Sequence, residues 1–351
     1  MRCTLTEEIT AMRDCGIDGT ICRGLGGLYG VYCPDREDML LCRARGHFRR
    51  DGITPLVGDH VTVLPARETD DPEPDADFAA RAQRKKEAEA LWVIDAIRER
   101  KNALIRPPLS NLTHLFILLP CASPLPDLCM ADKLTAIAVH GGITPVIVTS
   151  KIDMDPEMAA KIAHIYETAG FPVFPLSAVS GEGIDALESY LAAIAAAGEV
   201  TAAFAGVSAA GKSTLMTRLY PHLALKTNTV SRKIQRGRHT TRHVELYPVT
   251  SGGARYFLAD TPGFSVIDFT RFDFFPVEEL PDTFPEFADC LGTCRYTKCT
   301  HTKEEGCAVL AKMAAGKIAP ERHESYQAIR REILEKPEWQ RQKESEHRGK
   351  R

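Results

Sequence analysis

At 351 residues, against a usual domain size of about 150 residues, the chain is long enough for two to three domains, which excludes a peptide or a single small module. Hydrophobic residues at 44% and charged residues at 26% are the proportions of a soluble globular chain and exclude a disordered or fibrous one. The formal net charge of -3 excludes whole-molecule attraction to nucleic acid or anionic lipid, so any basic surface has to be local.

Residues 1–18 hold no continuous apolar core and no later segment is long and apolar enough to span a bilayer, so neither secretion nor membrane insertion is expected. Eleven cysteines is an odd number, and Cys290, Cys294, Cys299 and Cys307 crowd together beside His301. That crowding suits a reducing compartment and a metal better than disulfides, and a cytoplasmic location is expected.

From Gly19 to about Pro65, short β-type runs at 19–22, 27–32, 39–42 and 58–63 are broken by glycine. A fifth run, 91–97, follows a charged stretch at about 66–90 that starts acidic and proline-broken and turns helical in pattern over 78–91; it reads as an insertion between strands. Five short strands with glycine-rich turns predict an OB-type β-barrel over residues 1–107, a fold whose open face commonly binds nucleic acid. The same residues equally allow a purely structural barrel. After Pro107-Pro108, apolar runs at 115–119, 145–149, 173–176, 200–205 and 256–258 alternate with helical stretches, which predicts an α/β domain with a mainly parallel sheet over 108–274. Residues 275–351 predict a mainly helical, metal-binding domain whose last residues, 340–351, form a solvated tail. No internal repeat is present.

Gly206-Val207-Ser208-Ala209-Ala210-Gly211-Lys212-Ser213 matches the phosphate-loop pattern, after a β-type run and before a helical one. Such a loop wraps backbone N–H groups around phosphate oxygens. Gly206, Ser208, Gly211, Lys212, Ser213 and Thr214 are therefore candidate nucleotide-binding residues, Lys212 carrying charge to the β and γ phosphates and Ser213 a hydroxyl to Mg²⁺. Asp260-Thr261-Pro262-Gly263, after another apolar run, supplies the second half of a Mg²⁺-triphosphate site through Asp260 and the Gly263 N–H. Ser150-Lys151-Ile152-Asp153 is similar to the Asn-Lys-x-Asp box of GTPases. Asp153 can accept both N–H donors on the Watson–Crick edge of guanine, whereas adenine would leave it unpaired. Ser177-Ala178 resembles the fifth GTPase motif, in which the Ala N–H meets guanine O6.

Between these motifs, Lys226 to His243 carries Lys226, Arg232, Lys233, Arg236, Arg238 and Arg242 and no acid. It is a candidate switch loop with a basic face, and Thr240 and Thr241 fall where a switch threonine closes on Mg²⁺ and the γ-phosphate. Cys294-x4-Cys299-x-His301-x5-Cys307 offers three thiolates and one imidazole, enough for a closed, structural Zn²⁺ site, with Cys290 as a spare sulfur.

In a Ras-like chain the phosphate loop precedes the base boxes; here Ser150–Asp153 and Ser177-Ala178 come before Gly206, so the GTPase domain is circularly permuted. With Pro55-Leu56-Val57-Gly58-Asp59-His60-Val61, Gly237-Arg238-His239-Thr240-Thr241 and Asp260-Thr261-Pro262-Gly263-Phe264, the chain resembles the ribosome small subunit-dependent GTPases, the RsgA family, from Gly19 to about Tyr326. The resemblance implies an OB domain, a permuted GTPase domain and a zinc domain held by Cys294, Cys299, His301 and Cys307. It implies late maturation of the small (30S) ribosomal subunit as the function, that subunit and its rRNA as partners, GTP/GDP as ligands, subunit-stimulated hydrolysis, and a monomer. Because Phe264 stands where Ras-like enzymes carry a water-orienting Gln, the resemblance points to His239 as catalytic, alongside Lys212 and Thr241. A non-catalytic, GTP-gated RNA-binding adaptor is the alternative. Three departures stand out: Ser150 replaces Asn, losing an amide that bridges the base and the phosphate loop, Ala209 replaces Gly near the phosphates, and the charged insertion at about 66–90 lengthens the barrel domain.

Overall fold

The computed structural model describes residues 16–66, 92–221, 244–251, 253–260 and 267–335, with only the backbone of Ser251 and Asp260. Nearly all of the expected insertion, the basic loop from Lys226 to His243, Gly263-Phe264 and the tail at 340–351 lie outside the described residues. The chain divides into two compact units, one holding the barrel through Leu112 with parts of the last two sheet strands, the other holding the remainder of the α/β sheet and the C-terminal segment. No helix among the described residues is long and apolar enough to cross a membrane.

In the first unit, β1 (Ile17–Leu25), β2 (Leu28–Cys33), β3 (Asp38–Ala44), β4 (His60–Pro65) and β5 (Trp92–Ile97) close into a barrel in the order β1-β2-β3-β5-β4. β4 pairs back onto β1, and β3–β5 is a parallel pair among antiparallel ones. This is the five-stranded OB architecture. The strands form because apolar residues recur at every second position: Val61 and Val63 of β4 and Leu40 and Cys42 of β3 point inward while their neighbours are partly exposed. A short helix, α1 (Gly46–Arg50), follows β3, and β6 (Ala103–Leu104) pairs with β7 (Leu109–Ser110) after the barrel.

The Leu56-to-Asp59 turn before β4 is built around one carboxylate. Asp59 is fully buried and accepts from the Leu56 N–H at 2.8 Å, the Ser110 hydroxyl at 2.6 Å, and Arg100 Nε and Nη2 at 2.7 and 2.8 Å. Arg100 also donates to the Thr54 carbonyl at 2.7 Å. A buried charge is tolerated only when paired and hydrogen-bonded, and here every partner lies on the loop or on the segment after the barrel, so the carboxylate closes one against the other.

The α/β sheet has six strands in the order β10-β9-β8-β11-β13-β12, of which the first four and parts of the last two belong to the second unit. Its strands are β8 (His114–Pro120), β9 (Thr144–Ser150), β10 (Val173–Leu176), β11 (Thr201–Gly206), β12 (Glu245–Ser251) and β13 (Ala254–Asp260). β10, β9, β8 and β11 run parallel. β8, β9 and β11 are buried along almost their whole length, as near-continuous apolar strands covered on both faces should be. The helices are α2 (Leu128–His140), α3 (Pro156–Thr168), α4 (Ile184–Ala197), α5 (Lys212–Leu219), α6 (Ala308–Ala314) and α7 (Pro320–Leu334). α2 and α3 start where Asp127 and Asp155 each accept the backbone N–H three residues on, both at 2.9 Å.

The C-terminal segment is fixed by a buried cation. Arg322 of α7 has no exposed surface; its Nη1 lies 2.6 Å from Asp132 of α2, and its Nε and Nη2 lie 2.7 and 3.1 Å from the two oxygens of Glu286. Tyr166 of α3 donates to the same Asp132 oxygen at 2.8 Å, and the guanidinium sits 4.5 Å from the Phe284 ring centroid. Bidentate pairing and stacking are geometries that Arg can supply and Lys cannot.

Asp59→Ala is expected to leave the Arg100 cation facing a buried gap and to destabilise the barrel by about 3 kcal/mol. Urea unfolding of the full chain measures this, and a loss below about 1 kcal/mol would contradict the role given to the carboxylate.

Candidate functional site

The register of the parallel strands brings the sequence motifs to one edge. Pro120 and Leu176 both pair with Ser150, and Gly206 pairs with Leu118, so β8, β9, β10 and β11 end nearly level and their following loops emerge side by side. Loops at the carboxyl ends of parallel strands are the usual place for a ligand in such sheets.

The phosphate loop leaves β11 at Gly206, whose φ is +141°; a Cβ there would stand 2.6 Å from the Leu118 carbonyl oxygen, so only glycine allows β11 to lie so close to β8 as the loop begins. Gly211 closes the loop at the N-terminus of α5. Lys212 Nζ donates to the carbonyls of Gly206 and Val207 at 2.6 and 2.9 Å, which holds the ammonium over the loop, while Ser208, Ser213 and Thr214 are exposed. Ala209 has φ +62°, a left-handed conformation that an L side chain adopts at a cost of roughly 1–2 kcal/mol.

Ser150 reports a difference from the sequence reading. Its hydroxyl, nearly fully buried, donates to the Ala210 carbonyl at 2.7 Å, so the arm of the bridge that reaches the phosphate loop is kept without the amide. Lys151 follows with φ +62° and its Nζ donates to the Ser123 carbonyl, and Asp153 is exposed at the end of β9. At Cys121, beside these loops, burial, then the charges of Asp155 and Asp153, push the thiol up to about 11.

Ser177 is buried and turns the loop after β10: its Oγ accepts the Ser180 N–H at 3.1 Å, its carbonyl accepts from Gly181 at 2.8 Å and its N–H donates to Glu182 at 2.9 Å. The loop ends at Gly183, φ +76°, where a Cβ would stand 2.0 Å from the Pro175 carbonyl. Sequence reasoning stopped at Ser177-Ala178; the Ser-Gly-Glu-Gly run that follows was the available signal for this turn. Ala178 faces α5 across a cavity of about 510 Å³ also lined by Ser213, Thr214, Thr217, Arg218 and Pro221. Asp260 is the last residue of β13, and His239, Thr240, Thr241 and Gly263 lie outside the described residues.

A second cluster lies in the C-terminal segment. One ligand atom each from Cys294, Cys299, His301 and Cys307 falls within 4.8 Å of the others. His301 Nδ1 is 3.5 Å from both Cys294 and Cys307 Sγ. A tetrahedron with Zn–S near 2.3 Å and Zn–N near 2.0 Å has S···N edges of about 3.5 Å, so the donor set fits that ion. The Ala308 N–H points at Cys294 Sγ from 3.3 Å, while Cys290 Sγ turns away toward Asp289. Glu304 shapes the loop between the ligands. Burial opposes its charge, but hydrogen bonds from the Thr300 hydroxyl and from the Thr300, Thr302 and Lys303 N–H groups hold its carboxyl well below the usual range.

Comparison with known proteins gives matches across the chain. Residues 18–70 match the RsgA N-terminal domain and residues 97–270 the RsgA GTPase. The chain is 35% identical over 324 residues to the small ribosomal subunit biogenesis GTPase RsgA of Bacillus velezensis, covering 91% of this chain and 98% of that protein. It is 37% identical over 323 residues to the protein of the same name from Geobacillus thermodenitrificans, with the same coverage. Among solved structures it is similar to YjeQ from Thermotoga maritima (TM-score 0.70, 25% identity, 92% of this chain and 99% of that one). It is also similar to YloQ, described as a circularly permuted GTPase (TM-score 0.65, 29% identity, 93% and 98%).

Relief of the Ala209 backbone gives a direct check on the loop geometry. Ala209→Gly should raise stability by about 1 kcal/mol, since Gly adopts positive φ without the Cβ clash. A lower thermal midpoint than wild type would show that the left-handed turn is absent.

Proposed function

The chain belongs to the RsgA GTPase family and is a GTP-hydrolysing enzyme, and on that premise we propose that it binds the small ribosomal subunit and its rRNA, assists late maturation of that subunit in the cytoplasm as a monomer, and hydrolyses GTP to GDP and phosphate faster when bound there. The names of its relatives, the OB barrel and the acid-free run from Lys226 to His243 support the partner.

One observation carries the nucleotide reading: the Ser150 hydroxyl bond to Ala210, which ties the strand bearing the base box to the phosphate loop. A site that reads base and phosphates together needs those two loops held in fixed relation. Asp153 would accept the two N–H donors of guanine, Ala178 would donate its N–H to O6, and Ser177 and Lys151 hold the two base loops in shape. Gly206, Ser208, Gly211 and Thr214 frame the phosphates with backbone N–H groups, and Lys212 brings its charge to them.

Ser213, exposed on the first turn of α5, and Thr241 would hold Mg²⁺, which when bound neutralises charge on the phosphate oxygens; Asp260 completes that side. Thr240 and the Gly263 N–H would meet the γ-phosphate. His239 would orient and polarise the attacking water, which an imidazole can do near neutral pH and Phe264 cannot. Because His239 sits in the switch loop, its placement by a bound partner accounts for stimulated turnover. Cys294, Cys299, His301 and Cys307 would hold Zn²⁺, which supplies folding free energy and leaves no open position for water.

Multiple-turnover GTP hydrolysis, with and without small subunits, tests the proposal. The subunit should stimulate the wild-type chain, and His239→Ala should lose most of that turnover while its affinity for GTP stays near wild type. Equal losses of binding and turnover would make His239 a structural residue, and the absence of stimulation would remove the subunit from the proposal.

A further inference from the structure

The last helix touches three places that the GTPase reading leaves unconnected. On one side, α7 grips the metal-ligand loop by three consecutive carbonyls. Tyr326 OH donates to Thr300 O at 2.9 Å, His323 Nε2 lies 2.7 Å from His301 O, and Gln327 Nε2 donates to Thr302 O at 3.2 Å. Through Arg322 the same helix is clamped to Asp132 of α2 and to Glu286, ahead of the metal loop. Ten residues beyond Arg322, about 15 Å along the helix axis, Glu332 accepts the backbone N–H of Phe269 at 2.8 Å and pairs through its other oxygen with Lys133 of α2.

Phe269 lies nine residues after Asp260, at the exit of the segment that begins Asp260-Thr261-Pro262-Gly263. It is itself a fixed point. Its ring is buried against Phe274 and Phe275, with centroids 5.0 and 5.4 Å away. The turn around it is closed by Asp268, which accepts from the Thr270 N–H at 2.9 Å and from the Thr270 hydroxyl at 2.5 Å. Both Glu332 and Lys133 are largely withdrawn from solvent, with side chains 21% and 14% exposed, so their pair is screened less than a surface one.

We propose that α7 is a strap joining the metal loop to the exit of the second switch, and that Glu332 is a positioning residue for GTP hydrolysis, acting through the Phe269 N–H. The proposal rests on reading Asp260 to Phe264 as that switch. The metal loop orders the first half of α7 through His323, Tyr326 and Gln327. Arg322 keeps the helix from sliding on α2, and Glu332 sets where the chain leaving the switch is anchored. A switch whose exit is fixed has fewer conformations to search before its residues meet the γ-phosphate.

Hydrogen exchange of the Phe269 amide in the full, GDP-bound chain tests the strap, together with kcat, KM and zinc content. Glu332→Ala should speed that exchange about tenfold or more, the loss of one charge-assisted hydrogen bond. It should lower kcat roughly 2- to 30-fold while KM and zinc content stay at wild-type values. Glu332→Gln keeps an acceptor oxygen for the Phe269 N–H and should restore both. Chelating zinc from the wild-type chain should also speed exchange at Phe269, and should add nothing in Glu332→Ala. If Glu332→Ala fails to fold, Glu332→Met, which removes the acceptor for the Phe269 N–H but keeps the length of the side chain, replaces it in the same measurements. Unchanged Phe269 exchange in the variant overturns the proposal. So does exchange that zinc removal leaves untouched, or faster exchange with an unaltered kcat. Retained turnover in Lys212→Ala would instead overturn the GTPase site assignment, and the exchange measurement, which needs no turnover, decides the strap separately.

Discussion

A guanidinium that has no exposed surface can exist only if its charge is matched where it lies. Arg322 meets that condition with two carboxylates from different parts of the second unit, Asp132 of α2 and Glu286, and with the Phe284 ring beside it. Neither carboxylate could be buried without it, since removing one partner of such a cluster costs about 3–5 kcal/mol. The C-terminal segment is therefore not a separate appendage to the sheet. It shares a buried ionic centre with the helix that joins β8 to β9, and the metal loop and α7 inherit their position from that centre.

The permuted order of the chain makes this attachment consequential. In the unpermuted order, the chain after β13 would continue into the rest of the nucleotide domain; here it goes on to Ile267 and Phe269 and then to the segment that carries the cysteines. The parallel pairing of β10, β9, β8 and β11 still brings the base and phosphate loops to one edge, because strand register depends on which residues pair and not on where the chain starts. Permutation leaves the edge intact and changes what the chain after β13 is covalently tied to.

What could be read from sequence follows from the range of the interactions. The phosphate loop was legible because its backbone demands glycine at Gly206 and Gly211 between an apolar run and a helix. The Cys/His cluster was legible because its four residues lie within fourteen positions of one another. β12 was not read: Glu245–Ser251 carries Pro248 and polar residues and follows a basic run, so no apolar alternation marks it. The side-chain partners of Asp59 lie 41 and 51 residues away, and Arg322 meets Asp132 across 190 residues, so no local pattern marks either charge as buried. α7 is rich in charged residues, yet it buries Arg322, His323 and Tyr326. Ser150 lacks the amide, and its hydroxyl bond to the Ala210 carbonyl, 60 residues away, is a contact that no local pattern marks.

Asp153 is the residue proposed to read guanine at the edge these strands create. Equilibrium binding of guanine and xanthine diphosphates to the wild-type chain and to Asp153→Asn tests it directly. The amide presents a donor where the guanine edge also donates, so the variant should lose affinity for GDP by about a hundredfold or more and gain affinity for the xanthine nucleotide. GDP affinity unchanged by the substitution would place base recognition elsewhere and contradict the account.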